Sequence, residues 1–102
     1  MHLVQILLPT HDNEQEPIAR EEYGRVREEL TERFGGLTVY TRAPAEGLWR
    51  INDNYTSRDD IVIFEVLIAE LDPIWWRNYR HDLEKRFRQE AILIRAQQTQ
   101  LL

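Results

Sequence analysis

The sequence predicts an α+β fold in which a four-stranded antiparallel sheet carries two helices on one face. Three observations lead to this prediction. The residue patterns run in the order strand, helix, strand, strand, helix, strand. The strand patterns at 2–8 and 60–71 are apolar on both sides of an extended backbone, which is typical of central strands. The helix patterns have one apolar stripe each, so each helix covers the sheet with one side only.

The first half of the chain gives a strand, a loop and a helix. The strand pattern 2–8 ends at Pro9, which lacks the N–H that a central strand needs. Polar residues at 10–16 predict a loop. Apolar residues then recur at steps of three and four, which predicts a helix at 17–34. Gly35-Gly36 supplies the permissive backbone with which a helix ends.

The second half gives two strands, a helix and a last strand. Residues 37–43 alternate as an edge strand that stops at Pro44. Residues 45–58 predict an irregular hairpin extension that returns the chain to the strand at 60–71. Asp72-Pro73 predicts a helix start, because Asp is a good N-cap and Pro suits the first helical position. The last strand is predicted at 91–96.

Length and composition limit the classes of protein that the chain can belong to. Its 102 residues predict a single domain spanning 1–102. The formal charge of -5 argues against binding to nucleic acid or to an anionic membrane. No apolar stretch is long enough for a membrane span and no signal peptide precedes the first strand, so we expect a cytoplasmic protein. Cysteine is absent and the three histidines are not spaced like metal ligands, so we expect neither a metal nor another cofactor.

The side of the sheet that the helices leave uncovered is predicted to be too apolar for water. Its side chains are predicted to be Leu3, Gln5, Leu7, Thr38, Tyr40, Arg42, Ile61, Ile63, Glu65, Leu67, Leu93 and Arg95. An exposed apolar patch of this kind usually marks an interface or a ligand site. A second copy of the chain is the simplest way to shield this apolar face from water, so the sequence predicts a homodimer through the sheet face.

The order of elements and the doubly apolar third strand resemble the ferredoxin-like βαββαβ fold, and the apolar open face resembles its dimeric α+β barrel branch. The segments Phe34-Gly35-Gly36-Leu37-Thr38 and Ala45-Glu46-Gly47-Leu48-Trp49 resemble small bacterial proteins of this type that have no assigned function. This resemblance implies a fold and a dimer. It carries no chemistry, because a fold does not fix a function.

Glu65 is the main candidate for chemistry. It is a carboxylate between Ile63 and Leu67 on an apolar face, where it needs a cationic partner. Arg42 and Arg95 are the cations predicted on the same face. Two interpretations stay open: a structural ion pair, or an acid or base that acts on a bound molecule.

Other polar and aromatic residues extend the candidate site. His11 follows the first strand and can act as a base near neutral pH, although loop histidines are more often only solvated. Trp49 and Arg50, on the long connection, are candidates for a lid, an anchor for a planar ligand or a dimer clasp. Gln5 and Tyr40 lie on the open face and are predicted to contact a ligand there.

Two functions follow from these residues. The preferred hypothesis is a non-enzymatic or ligand-binding homodimer with a small-molecule pocket at the open sheet face. The alternative is a cofactor-independent dimeric α+β barrel enzyme, an oxygenase or isomerase that uses Glu65 or His11 as acid or base and Arg42 or Arg95 to hold an anion. An RNA-binding module is disfavoured, because the third strand lacks the aromatic and basic pattern of such sheets.

Overall fold

A computed structural model of the chain describes the backbone of residues 1–52 and 55–102 and the side chains of residues 1–40 and 61–102. The elements in chain order are β1 (His2–Pro9), α1 (Arg20–Phe34), β2 (Thr38–Asn52), β3 (Tyr55–Ile68), α2 (Pro73–Arg86) and β4 (Leu93–Gln98). The strands form one antiparallel sheet in the order β2-β3-β1-β4. The predicted ferredoxin-like α+β class is confirmed, with the first and third strands at the centre.

Both helices lie on one face of the sheet and bury its side chains. On β1 this face carries Val4, Ile6 and Leu8, none more than 1% exposed. On β3 it carries Phe64, Val66 and Ile68. From the helices and the segments next to them the core receives Ile18, Val26, Leu30, Trp76, Tyr79, Leu83, Phe87 and Ile92. For the side chains that the structure describes, the predicted division of the strand residues between a helix-covered and an open face is therefore confirmed.

Helix α1 begins three residues later than the sequence pattern predicted, at Arg20. Pro17 forms a β-bridge with His11, and the N–H of Ile18 donates to the carbonyl of Thr10 at 3.0 Å. These contacts hold 17–18 against the preceding loop, so the helix cannot start there. Its other end is as predicted, since Gly35 adopts a left-handed conformation with φ of 80° and its N–H donates to the carbonyl of Thr31.

Helix α2 begins where the sequence predicted. The Asp72 carboxylate accepts the backbone N–H groups of Ile74 and Trp75, both at 3.1 Å, and Pro73 occupies the first turn. The ring of Trp76 stacks on Phe34 with centroids 5.3 Å apart, which joins the start of α2 to the end of α1.

The predicted end of the second strand at Pro44 is wrong. Strand pairing continues along a long hairpin, from Ala45 opposite Ile61 to Asn52 opposite Tyr55. A shift of register between the Tyr40 and Ala45 pairs spans the segment that contains the proline. An irregularity of this kind removes Pro44, which has no N–H, from the hydrogen-bond ladder between the strands. The strand can therefore continue beyond the proline. The last strand likewise lies two residues later than predicted, at Leu93–Gln98.

Gly24 lies inside α1, where no packing contact requires a glycine. A Cβ built on it meets no atom within 4 Å. Gly24→Ala is therefore expected to raise the free energy of unfolding by about 0.5 to 1 kcal/mol, because alanine loses less backbone entropy in a helix. Thermal and urea unfolding followed by circular dichroism measure the change. Gly35→Ala is the matched control and is expected to destabilise, since φ there is 80°; a destabilising Gly24→Ala would contradict the prediction.

Candidate functional site

The open face of the sheet carries one polar row between two largely apolar rows. The strand register places the polar row across all four strands, as Arg95, Gln5, Glu65 and Thr38. The row on one side consists of Leu93, Leu7, Ile63 and Tyr40. The row on the other side consists of Gln97, Leu3 and Leu67. A carboxylate thus lies near the middle of a polar row that largely apolar rows flank.

Hydrogen bonds connect side chains of the four strands through Glu65. Gln5 Nε2 donates to Glu65 Oε1 at 2.8 Å, and Tyr40 OH donates to Glu65 Oε2 at 3.4 Å. Arg95 Nε donates to Gln5 Oε1 at 2.7 Å. The structure therefore brings together four of the predicted site residues, and the amide of Gln5 is oriented by having one partner on each side.

Two cations were predicted as partners of Glu65. The side chain of Arg42 lies outside the described residues, and Arg95 forms no direct ion pair with Glu65. Gln5 stands between them, because β1 lies between β3 and β4 in the sheet. Among the side chains that are described, no cation contacts Glu65, and both of its hydrogen-bond donors are neutral. The carboxylate is thus held in position and keeps the capacity to meet a cationic ligand.

Solvent reaches this face. Tyr40 is 48% exposed, Leu93 46% and Leu67 37%, although all three have large apolar surfaces. Gln5 and Glu65 are half-buried between them. The combination of a fixed polar group and accessible apolar flanks is typical of sites that bind a small molecule or another chain.

His11 does not lie with Glu65. It is exposed beyond the end of β1, and its Nδ1 is 2.9 Å from the hydroxyl of Thr10. Since β1 continues from Gln5 to Pro9 before this loop, the strand alone separates the two positions by roughly 13 Å. The structure therefore offers no shared acid and base role for His11 and Glu65.

The residue next to it, Asp12, has a structural role that the sequence reasoning missed. Its side chain is 4% exposed and its carboxylate pairs with Arg88 NH2 at 2.7 Å. The backbone N–H groups of Glu16 and Glu14 also donate to this carboxylate, and with Arg88 they hold the pKa of Asp12 below its ordinary value. A lowered folded-state pKa means that the ionised carboxylate stabilises the fold at neutral pH, and that this contribution is lost as the pH falls through the lowered pKa.

Three further predicted site residues, Arg42, Trp49 and Arg50, have side chains outside the described residues. In the described part of the chain no group of three or more His, Asp or Glu residues is placed to hold a metal ion. Neither α1 nor α2 is long and apolar enough to cross a membrane. The predicted absence of a metal or other cofactor stays a prediction.

The fold and the polar row together define a class: a ferredoxin-like α+β protein with a carboxylate at the centre of its open sheet face. Two solved structures are similar to the chain. One is a phage SAM lyase in complex with S-methyl-5′-thioadenosine, with a TM-score of 0.64 and 12% sequence identity over 94% of this chain and 79% of that one. The other is a phage SAM lyase in the apo state, with a TM-score of 0.62 and 12% identity over 94% and 78% of the two chains. No protein-family model and no curated protein matches the sequence.

These similarities overturn the functional prediction made from the sequence. The similar structures are those of an enzyme, which counts against the preferred hypothesis of a non-enzymatic or ligand-binding protein. The homodimer through the sheet face stays a prediction. The enzyme in those structures is a lyase, which is neither the oxygenase nor the isomerase of the alternative hypothesis. The error has a physical reason: the sequence pattern specifies a fold, and one fold supports many reactions.

Proposed function

We propose that the protein is an enzyme that cleaves S-adenosylmethionine, releases S-methyl-5′-thioadenosine (methylthioadenosine) and binds its substrate at the open sheet face. The observation that carries the proposal is Glu65, a carboxylate fixed by neutral donors with no cation in contact among the described side chains. Similarity to a SAM lyase over 94% of the chain supports it. A cytoplasmic location is part of the proposal, because S-adenosylmethionine is made and used inside cells.

The substrate has the features that this face complements. Its sulfonium group is a permanent cation, which a carboxylate attracts. A substrate that covers the apolar flanks of Glu65 would displace water and strengthen this attraction. Its adenine is flat and apolar on both sides, and the row of Leu7, Ile63 and Tyr40 offers a surface of that kind beside the carboxylate. Arg95 uses Nε to bind Gln5, so its terminal nitrogens are placed to bind the carboxylate of the substrate.

The reaction breaks the bond between the sulfonium sulfur and the γ-carbon of the methionine part. The bonding electron pair goes to sulfur, which becomes the neutral thioether of methylthioadenosine. The remaining four-carbon fragment becomes one of two products, each of which conserves atoms and electrons. A base removes a proton from the β-carbon and leaves an unsaturated amino acid, or the substrate's own carboxylate attacks the γ-carbon and closes a lactone. Glu65 takes the proton in the first route and holds the sulfonium in the second.

The purified full chain incubated with S-adenosylmethionine tests the proposal. We expect methylthioadenosine to accumulate in proportion to enzyme concentration, measured by liquid chromatography with mass detection. NMR of the four-carbon product distinguishes the unsaturated amino acid from the lactone. Release no faster than in buffer alone would contradict the proposed activity.

The open face is also the proposed surface for a second copy of the chain, and Leu67 is the residue to test. Leu67→Arg is expected to abolish association, because a charge would be buried against the apolar flank of the partner sheet. Light scattering coupled to gel filtration measures the mass at micromolar concentration. Ile74→Arg is the matched control, since Ile74 is 70% exposed on α2 and lies away from this face. A wild-type monomer, or an unchanged mass for Leu67→Arg, would rule out association through the sheet.

A further inference from the structure

A second concave surface lies on the helix-covered side of the sheet. It is a cleft of about 550 Å³, within the range of small-molecule sites. Its lining consists of Thr10, Ile18, Arg20, Tyr23, Gly24, Arg27, Val62 and Phe64. Val62 and Phe64 alternate with Ile63 and Glu65 along β3, so they point to the opposite side of the sheet. The sheet therefore separates this cleft from the polar row.

One face of α1 forms a wall of the cleft. Arg20, Tyr23, Gly24 and Arg27 follow one another at helical spacing and so project from the same side. Tyr23 is fixed, because its hydroxyl donates to the carbonyl of Pro9 and its ring packs edge-on against Phe87 at 5.4 Å. Burial raises the pKa of Tyr23 to about 12, so this part of the wall is neutral at physiological pH.

The two arginines of this wall differ from others on the same helix. Within the described residues, neither Arg20 nor Arg27 forms an ion pair or hydrogen bond with the protein. By contrast, Arg25 pairs with Glu22 at 3.5 Å and Arg33 lies 4.2 Å from the Trp75 ring centroid. The helical neighbours of Arg27 three and four residues away are uncharged, namely Tyr23, Gly24, Leu30 and Thr31. Two uncompensated cations thus line one cleft of a chain with a net charge of -5.

Gly24 lies between these arginines and, having no side chain, leaves a gap in this wall of the cleft. A Cβ on it would enter empty space, so the fold does not require its small size. Without a side chain at this position, a flat group can approach the helix backbone between Tyr23 and Arg27. The floor of Val62 and Phe64 provides apolar contact for the other side of such a group.

We infer that this cleft binds an organic phosphate with a flat apolar body, of the size of a nucleoside monophosphate. Arg20 and Arg27 are about 10 Å apart along the helix axis, and their long side chains reach a phosphate between them. The flat body lies over Gly24 against the apolar floor. This site is independent of the proposed lyase reaction, because it uses the other side of the sheet and none of the polar row.

Titration of the isotope-labelled full chain with AMP, followed by backbone amide NMR, tests the inference. Saturating methylthioadenosine is present throughout, so that the proposed substrate face is occupied. We expect AMP to shift the amide signals of 18–27 and 62–64. Adenosine and inorganic phosphate are each expected to bind at least about tenfold more weakly than AMP, since each lacks one half of the recognised ligand.

Variants decide whether AMP binds in this cleft. Arg27→Gln removes a phosphate ligand and Gly24→Leu fills the space, and each is expected to raise the Kd for AMP at least about tenfold. Arg77→Gln is the matched control, because Arg77 is an exposed cation on α2 and its loss changes the net charge equally. Glu65→Gln is expected to leave AMP binding unchanged.

Several results would overturn the inference. AMP could fail to shift the amides of 18–27, or phosphate alone could bind as tightly as AMP. An equal loss of affinity in Arg77→Gln would mean that AMP responds only to the net charge of the protein. A loss of affinity in Glu65→Gln would mean that AMP binds at the open face and not in the cleft. If Gly24→Leu failed to fold, Arg27→Gln and its control Arg77→Gln would still show whether AMP binds in the cleft. None of these outcomes depends on whether the chain cleaves S-adenosylmethionine.

Discussion

Glu65→Gln is expected to lower the rate of methylthioadenosine release by at least about 100-fold, the usual loss when a charged group acts on the reacting centre. The substitution removes the negative charge that is proposed to face the sulfonium, which belongs to the only described carboxylate in the polar row. It keeps the size of the side chain and one acceptor oxygen for Gln5 or Tyr40. The fold is therefore expected to survive, so the loss reports on chemistry. The measurement is kcat/KM from product release.

Two other variants make the result specific to Glu65. Glu28→Gln removes the same charge from an exposed position on α1 and is expected to leave the rate unchanged. Tyr40→Phe removes the weaker donor, whose hydroxyl is 3.4 Å from the carboxylate, and is expected to cost only a few-fold in rate. Full activity in Glu65→Gln, with methylthioadenosine still formed by the wild type, would place the reaction elsewhere on the protein.

Phe87→Ala is expected to reduce the free energy of unfolding by about 3 to 5 kcal/mol, a large share of the stability of a small domain. Phe87 caps the end of α2, has no solvent exposure and packs edge-on against Tyr23 of α1. Truncation would leave a cavity where the two helices meet the sheet. Each kcal/mol corresponds to about 4 to 8 °C in Tm for a domain of this size.

Urea unfolding at constant temperature measures this effect. Ile74→Ala is the control, because Ile74 is a large apolar residue within α2 but is 70% exposed. We expect it to change stability by less than about 0.5 kcal/mol. A mild effect of Phe87→Ala would mean that the helices close over the cavity. It would contradict the close packing of Phe87 against Tyr23.

The individual elements could be predicted because each depends on neighbours in sequence. The steps of three and four in α1 and the two apolar faces of β1 and β3 are local patterns. The cap at Asp72 and the left-handed exit at Gly35 are equally local, since each involves residues within one helical turn. The boundaries differed where a contact outside the helical pattern intervened. The bridge between His11 and Pro17, within the preceding loop, makes α1 begin later than predicted.

The sequence predicted part of the membership of the candidate site but not its arrangement. His11 lies apart from Glu65, and the side chains of Arg42, Trp49 and Arg50 are outside the described residues. Alternation along the strands was enough to place Gln5, Tyr40, Glu65 and Arg95 on one face. Whether Glu65 contacts Arg95 depends on which strand lies between them and on the register, and these are properties of the whole sheet. The ion pair of the buried Asp12 with the exposed Arg88 was missed for the same reason, because the two residues are far apart in the chain.

The sequence by itself determined the order of elements, the two faces of each strand and the presence of a carboxylate on the uncovered face. These features follow from the periods of helix and strand, which are fixed by backbone geometry within a few residues. Only the tertiary structure decided that Gln5 separates Glu65 from Arg95, and that α1 leaves a cleft beside Arg20 and Arg27, which have no ion-pair partner among the described residues. Strand register and helix placement result from packing across the whole molecule, and no local pattern records them.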